Sequence, residues 1–457
     1  MNTSDQKRPH IWKELSLSNF KSWKSLPSLR LAPLTALFGT NSSGKSSILQ
    51  WFLMMRQTVE SADRRRSLDL GTDRSVVELG TFDDVVHREP KGNSTRVPRS
   101  TLGWTVAWET TDLVEDVANA KAEPRRITFS AEIGSTTHHA PTTLRLEYRT
   151  SHAYTYFIGD DGDYHFDTDD HGLTRRRGRP TILPHPDKCY GFPEEIDRDY
   201  QHAAILSDLK LALERQFLRI EYLGPLRDHP RRQYLWGGGE PGDLGRKGEF
   251  AVEALLASRE SRPAKRRVKQ SVSLEESVAN WLKKLGLIHD FRVHEISQGS
   301  KLYQVLVRRN EGSPEVSIAD VGFGVSQVLP VITLCCRATP GVTLLIEQPE
   351  IHLHPSAQAG LADLFIETIR KRRAQIILES HSEHLLRRLR LRVAEEKVSS
   401  DEIQLAFCEI QGGASQLRSL ELDEFGAIKN WPEHFFGNEF GEIADMVQAV
   451  AKRKVRA

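Results

Sequence analysis

Leu34-Thr35-Ala36-Leu37-Phe38-Gly39-Thr40-Asn41-Ser42-Ser43-Gly44-Lys45-Ser46-Ser47-Ile48-Leu49 is the stretch that decides the fold. Leu34–Phe38 reads as a buried strand, and the next eight residues, Gly39–Ser46, satisfy GxxxxGK[ST]. Lys45–Val59 then has helical spacing with almost no breakers. Strand, glycine loop and helix in that order are what a phosphate-binding loop requires. The glycines let backbone N–H groups turn inward around anionic oxygens. The helix starting near Lys45 aims the positive end of its dipole at the same point. Lys45 is placed to reach the β- and γ-phosphates of a nucleotide, and the Ser46 hydroxyl to ligate Mg2+. The nucleotide-binding set expected from the loop is Gly39, Asn41, Ser42, Ser43, Gly44, Lys45, Ser46 and Ser47.

Outward from the loop, Trp12–Leu17 and Leu29–Leu31 alternate like strands. From about Thr72 to Tyr200 short β-like pieces follow one another: Ser100–Trp108, Arg126–Ile133, Thr142–Tyr148 and Tyr154–Gly159. The acidic, glycine-bearing stretch Asp160–Asp170 lacks EF-hand spacing and reads as a solvated loop. His202–Phe217 reads as a helix and Leu218–Leu223 as a strand. Pro230–Gly248 is loop-like, Phe250–Leu287 mostly helical, and strands return at Phe291–Ile296, Tyr303–Arg308 and Val316–Ile318. No long heptad array is present, so no extended coiled-coil arm is expected.

The last third alternates helix and strand: Ser326–Arg337, Val342–Ile346, Ser356–Arg370, Gln375–Leu378, His384–Glu396 and Gln404–Glu409. That alternation predicts an α/β fold with a largely parallel sheet. Val342–Ile346 is a buried-strand run ending in Glu347-Gln348-Pro349-Glu350. An acid at the end of such a strand, beside the phosphate loop, can hold Mg2+ through water, so Ser46 and Glu347 form the expected metal pair.

Bulk properties set limits. The chain has 457 residues, which implies two or three folded units. Lys plus Arg number 63 against 62 Asp plus Glu, so any DNA contact must come from a local patch. The first thirty residues carry no apolar run with a small-residue cleavage site, and the longest apolar stretches are too short for a bilayer. The expected place is the cytoplasm, without a membrane. Cys189, Cys335, Cys336 and Cys408 form no CxxC pair and read as free core thiols in a reducing compartment.

Leu344–Pro355 (LLIEQPEIHLHP) resembles the Walker B and D-loop segment of the OLD, RecF and SMC-type ABC ATPases. Ala319–Pro330 (ADVGFGVSQVLP) resembles their signature region, and Ile376–Leu385 (IILESHSEHL) their switch-histidine strand. The N-terminal LSLSNFKSWKS is similar to their first strands. Tyr222–Gly248 and the WP-x-x-FF tail at Trp431–Phe436 resemble a branch of OLD-like proteins, nearest to Septu-type antiphage ATPase subunits.

The resemblance implies a bilobed ABC-type ATPase head with a mixed, mostly parallel sheet, a β-rich insertion and a helical segment. Its parts are expected at 1–71 (first part of the head), 72–215 (insertion), 216–300 (helical and loop arm), 301–425 (second part of the head) and 426–457 (tail). It also implies ATP and Mg2+ as ligands. Glu347, Gln348, Glu350 and His381 are then the catalytic set, with His381 sensing the γ-phosphate. Gly324, Ser326 and Gln327 supply the signature, which caps the γ-phosphate of a second copy through the helix beginning near Ser326. His354 and Pro355 fall in the D-loop at the seam between copies.

Two departures matter. Where these ATPases carry the glutamate that activates water, this chain has Gln348, whose amide can orient water but not take its proton. Glu350 is the acid that can substitute. The usual signature serine does not align cleanly, its place falling to Gly324 or Ser326. Slow hydrolysis is expected, with nucleotide occupancy as the principal output. The expected partner is a second copy in a head-to-tail dimer or higher homo-oligomer. OLD proteins carry a nuclease domain after the ATPase, and too few residues follow the His381 strand here. A separate nuclease effector is therefore expected, in antiphage defence.

The alternative is a RecF-like or SMC-like ATPase that binds DNA directly in repair or maintenance. Basic runs at Arg64–Arg66, Arg175–Arg179, Arg262–Lys269 and Lys371–Arg373 read first as solvated faces, with Arg262–Lys269 the best DNA candidate. Arg227 and Arg231 are open to a nucleotide, a partner subunit or a structural ion pair. Phe20 and Trp23 are open to adenine stacking or core packing. The four histidines His352, His354, His381 and His384 need no metal once placed by the resemblance. Ser380-His381 lacks the GxSxG setting of a hydrolase.

Overall fold

Alternation of apolar side chains through three short strands builds the centre of the molecule, a computed structural model that describes residues 11–88, 101–111, 125–135, 140–177, 182–260, 272–432 and 446. In chain order it begins with strands β1 (Ile11–Phe20), β2 (Trp23–Arg30) and β3 (Leu34–Gly39), then helix α1 (Lys45–Glu60) and the short α2 (Phe82–Val85). Strands β4 (Leu102–Thr110), β5 (Arg125–Ser135), β6 (Pro141–Arg149), β7 (Ala153–Ile158), β8 (Tyr164–Thr168) and β9 (Thr174–Arg175) follow. Next come α3 (Glu194–Asp199), β10 (Tyr200–Gln201), α4 (Ala204–Leu218), β11 (Ile220–Leu223) and β12 (Tyr234–Leu235). Helices α5 (Ala251–Glu260) and α6 (Leu274–Lys284) precede β13 (Asp290–Glu295), β14 (Leu302–Arg308) and β15 (Val316–Ser317). The chain then alternates through α7 (Phe323–Arg337), β16 (Thr343–Glu347), α8 (Pro355–Glu367), β17 (Gln375–Glu379) and α9 (Glu383–Ala394). The hairpin β18 (Ile403–Gln411) and β19 (Ala414–Leu420) closes the series.

The central sheet has six strands in the order β11-β16-β17-β3-β18-β19, all pairs parallel except β18 with β19. Its central strands β3, β16 and β17 are buried on both faces, as a parallel sheet covered by helices demands. Leu34, Ala36 and Phe38, Leu344 and Ile346, and Ile376 and Leu378 face one core, which α7, α8 and α9 complete. The intervening Leu37, Leu345 and Ile377 face the other core, with α1 and α4. The fold is thus mixed α/β. Helix α7 begins at Phe323, three residues before the start expected from the sequence.

A seven-stranded sheet, β2-β1-β4-β5-β6-β7-β8, packs on the second core. All of its pairs are antiparallel. The β-rich stretch after Thr72 therefore continues the sheet that β1 and β2 begin. Helix α1 is pressed between the two sheets by its own aromatic residues. Trp51 and Phe52 are fully buried, and Trp12 of β1 lies 5.4 Å from Phe52 and 4.8 Å from Phe217 of α4 between ring centres. Burying rings of this size contributes on the order of 2–3 kcal/mol each. Gln375 bolts the sheets together: its amide accepts from Trp12 N at 2.9 Å and donates to Trp12 O at 2.8 Å and Ala32 O at 3.0 Å.

The third sheet is small, β12-β14-β13 with β15 beside β14, and packs with α5 and α6. Among the described residues no helix is long and apolar enough to cross a membrane. All four cysteines are buried and free. Burial pushes the Cys336 and Cys408 thiols up to about 12. The run Arg262–Lys269, residues 178 and 179 of the Arg175–Arg179 run, the end of the WP-x-x-FF tail and, apart from Met446, the stretch Phe440–Val455, which reads as a helix from its sequence, lie outside the described residues.

Candidate functional site

Steric room explains the glycines of the phosphate loop. Gly39, at the end of β3, has φ +140°, and an added Cβ would sit 2.0 Å from the Cys408 carbonyl oxygen of the neighbouring β18. Gly44, directly before α1, has φ +91°; a Cβ there would lie 2.5 Å from Ser415 Oγ, 2.6 Å from Ser22 Oγ and 2.8 Å from Trp23 Nε1. Ser42 also takes the left-handed conformation, at φ 59°. The loop rests on β2 and β19: Trp23 Nε1 donates to the Gly44 carbonyl at 3.0 Å, and Ser415 Oγ donates to Ser22 Oγ at 2.7 Å. Trp23 and Phe20 are fully buried in this packing. Core packing is their role, and neither ring has a free face for an adenine.

Above the loop lies a cavity of about 410 Å3, lined by Asn41–Ser47 together with Lys21, Ser22, Gln50, Gln348, Glu379 and His381. Lys45 is buried, and its ammonium donates to the Thr40 carbonyl at 2.7 Å and the Gly39 carbonyl at 3.2 Å. Burial lowers its pKa, an effect that Glu379, 3.9 Å away, opposes. Ser46 Oγ donates to Glu379 Oε2 at 2.6 Å. A second lysine, Lys21, stands at the cavity with φ 51° and donates to Gln50 Oε1 at 2.6 Å; burial lowers its pKa as well. Two lysines beside a glycine loop supply the charge that a polyanion would meet there.

Parallel pairing sets the acids. Glu347 ends β16 and is in register with Glu379 at the end of β17, which in turn pairs with β3. Glu347 Oε1 accepts from the Tyr222 hydroxyl at 2.8 Å, and the Glu347 carbonyl accepts from Arg227 Nη2 at 3.0 Å. Burial pushes the Glu347 carboxyl up to about 7. Gln348 stands at φ 45°, donates its backbone N–H to the Glu379 carbonyl at 2.8 Å and lines the cavity. Glu350 is buried and raised in pKa by that burial; its Oε1 accepts from the His381 backbone N–H at 2.6 Å. His381 is held toward the neutral imidazole by burial and by Lys45.

Gly324, Ser326 and Gln327 do not line this cavity. They lie in the first turns of α7, where Ser326 Oγ donates to the Phe323 carbonyl at 2.9 Å. Phe323 is 57% exposed and contacts the rings of His229 and His352. An arch from Gly224 to Arg232 joins that helix start to the Glu347 strand end. Arg227 holds the Glu347 carbonyl, and Arg232 grips Asp320 with two bonds of 2.9 and 2.6 Å. Arg227 therefore resolves to a buried contact with the end of β16, and Arg231 to an ion pair with Asp228 at 2.8 Å.

Sequence reasoning passed over Glu379, Tyr222 and Lys21. Glu379 carried a legible signal: an acid ending the strand that leads into His381, two positions before it. Tyr222 and Lys21 carried none beyond their segment.

A search of the curated proteins finds no match. Among solved structures, an SMC head bound to the C-winged helix domain of ScpA aligns at 12% identity over 90% of this chain and 98% of its own, with a TM-score of 0.45. The SMC head domain from Thermotoga maritima aligns at 12% identity, 90% and 99% coverage and a TM-score of 0.40. A head with an extended coiled coil from Pyrococcus furiosus gives 12%, 90% and 96%, and 0.44. Residues 398–446 match a family described as a protein of unknown function (DUF3696). Residues 258–386, which hold Gly324, Ser326, Glu347 and His381, match the family described as AAA ATPase domain.

Proposed function

We propose that the chain binds ATP with Mg2+ in the cavity above Gly39–Ser46, hydrolyses it slowly, and works as a nucleotide-dependent switch. The observation that carries this reading is the convergence of Lys45, Ser46, Glu379, Gln348 and His381 on one cavity from strands far apart in sequence. Lys45 and the loop amides bind the phosphates, and the Ser46 hydroxyl with an acidic strand end holds the metal. Bound Mg2+ would neutralise the charge that builds on the transferring phosphoryl group. Gln348 orients water, and the neutral imidazole of His381 faces the terminal phosphate. With an amide where a base is usual, turnover is expected below roughly 10 s⁻¹, the median for enzymes.

Because Gly324, Ser326 and Gln327 lie outside the cavity, their proposed role is to close the site of a second copy, head to tail. ATP then acts as an assembly ligand. The resemblance to OLD-like and Septu-type proteins extends this to antiphage defence through a separate nuclease effector. Steady-state phosphate release tests the enzyme, light scattering with and without ATP tests the dimer, and copurification followed by a nuclease assay tests the effector. Turnover above about 10 s⁻¹, or the same monomeric mass with and without ATP, refutes the corresponding step. A chain that is nuclease-active without partners refutes the effector. Direct DNA binding is the competing reading; salt-dependent affinity of the isolated chain would favour it.

A further inference from the structure

The strand order puts one acid closer to the phosphate loop than the sequence indicates. β17 lies between β16 and β3, so Glu379 is one strand from the loop and Glu347 two, about 4.8 and 10 Å in sheet spacing. The side chains follow the same order. Glu379 lines the cavity and is 4% exposed, with Oε2 against Ser46 Oγ at 2.6 Å and Oε1 3.9 Å from Lys45 Nζ. Glu347 does not line the cavity, and its Oε1 is occupied by the Tyr222 hydroxyl.

Resting on the ATP-binding reading above, we propose that Glu379, rather than Glu347, is the carboxylate that joins Ser46 in holding Mg2+. Mg2+ demands octahedral oxygens at about 2.1 Å, which places adjacent ligand atoms about 3 Å apart, and it takes one or two carboxylates besides the phosphates. Ser46 Oγ and Glu379 Oε2 meet that spacing with a small opening of their hydrogen bond. Without metal, the same carboxylate balances Lys45 and Ser46, the groups a triphosphate would engage. Metal binding draws it to the cation and frees Lys45 for phosphate. Glu347 then serves from behind: it fixes the end of β16 through Tyr222 and Arg227, and so positions Gln348.

The test is equilibrium binding of a fluorescent ATP analogue, with Mg2+ and with EDTA, to the wild-type chain and to Glu379→Gln, Glu379→Asp and Glu347→Gln. Mn2+ affinity of the nucleotide-bound protein, read by electron paramagnetic resonance, is the second measurement. Glu379→Gln is expected to lose the Mg2+-dependent tightening and to weaken Mn2+ more than about tenfold, keeping or improving affinity in EDTA because a negative charge has left the phosphate site. Glu347→Gln retains the tightening, and Glu379→Asp retains part of it. Circular dichroism melts establish that the variants fold. Tightening preserved in Glu379→Gln, or lost in Glu347→Gln, overturns the assignment. A wild-type chain that binds no ATP under either condition overturns the proposed function itself, a different result from either.

Discussion

Replacing Arg227 with methionine separates the cost of a buried charge from its use. Arg227 is 8% exposed, and its Nε and Nη1 have no hydrogen-bond partner among the described residues. Burial drops its pKa from 12.5 to about 10 despite the attraction of Glu347 and Glu350. At about 1.4 kcal/mol per pH unit, the folded state disfavours the cation by roughly 3 kcal/mol. Methionine has a similar shape and relieves that cost. Against it stand the 3.0 Å bond to the Glu347 carbonyl, whose loss leaves a buried acceptor worth about 1–3 kcal/mol. The two terms are of similar size and opposite sign. Arg227→Met should therefore shift the melting temperature by less than about 5 °C in either direction. ATP turnover should fall tenfold or more, because the end of β16 and Gln348 lose their clamp. Calorimetry and phosphate release read the two quantities. A drop beyond about 10 °C would show that the guanidinium is chiefly structural. Unchanged turnover would remove its positioning role.

Restoring a base should speed the chemistry: Gln348→Glu is expected to raise phosphate release by about 10²-fold or more, within the usual contribution of a general base, with nucleotide affinity little changed. No increase would mean that water is activated elsewhere, Glu350 two residues on being the acid in line for it. Stability should also depend on pH through Glu221, a half-buried acid of β11 whose buried Oε2 has no hydrogen-bond partner among the described residues and whose pKa burial raises above 4.5. The folded chain then binds more protons than the unfolded one between 4.5 and the raised value, so this residue's contribution falls as pH climbs through that window. Glu221→Gln should raise the melting temperature at pH 8 and flatten its decline from pH 5 to 8. An unchanged slope would exclude it.

The sequence carried the central sheet well because period-2 alternation between two covered faces leaves continuous apolar runs, as in Leu344–Ile346 and Ile376–Leu378. The phosphate loop was legible for a steric reason: Gly39 and Gly44 sit where a Cβ collides with Cys408 and with Ser415, Ser22 and Trp23. Strand β19 falls within the expected second part of the head but has no counterpart among the strands read from the sequence. Its signal, Gly412-Gly413 at φ 61° and 82°, fits a tight hairpin after β18. The acidic strand end at Glu379 was legible, but its place nearest the loop was not. Strand order decides which acid faces the loop, and spacing along the chain does not reveal that β17 separates β16 from β3. Tyr222 and Arg227 were opaque likewise, since β11 joins the sheet edge beside Glu347 only in three dimensions.

Lys45→Ala bears most directly on the central claim that Lys45 and an acidic strand end enclose one magnesium–triphosphate. Its ammonium is expected to make two charge-assisted bonds to phosphate, each worth about 1.5–3 kcal/mol. Isothermal titration of the wild-type chain and of a folded Lys45→Ala variant with ATP and Mg2+ should show a loss of at least 10²-fold in affinity. Equal affinity in the two proteins would contradict the account.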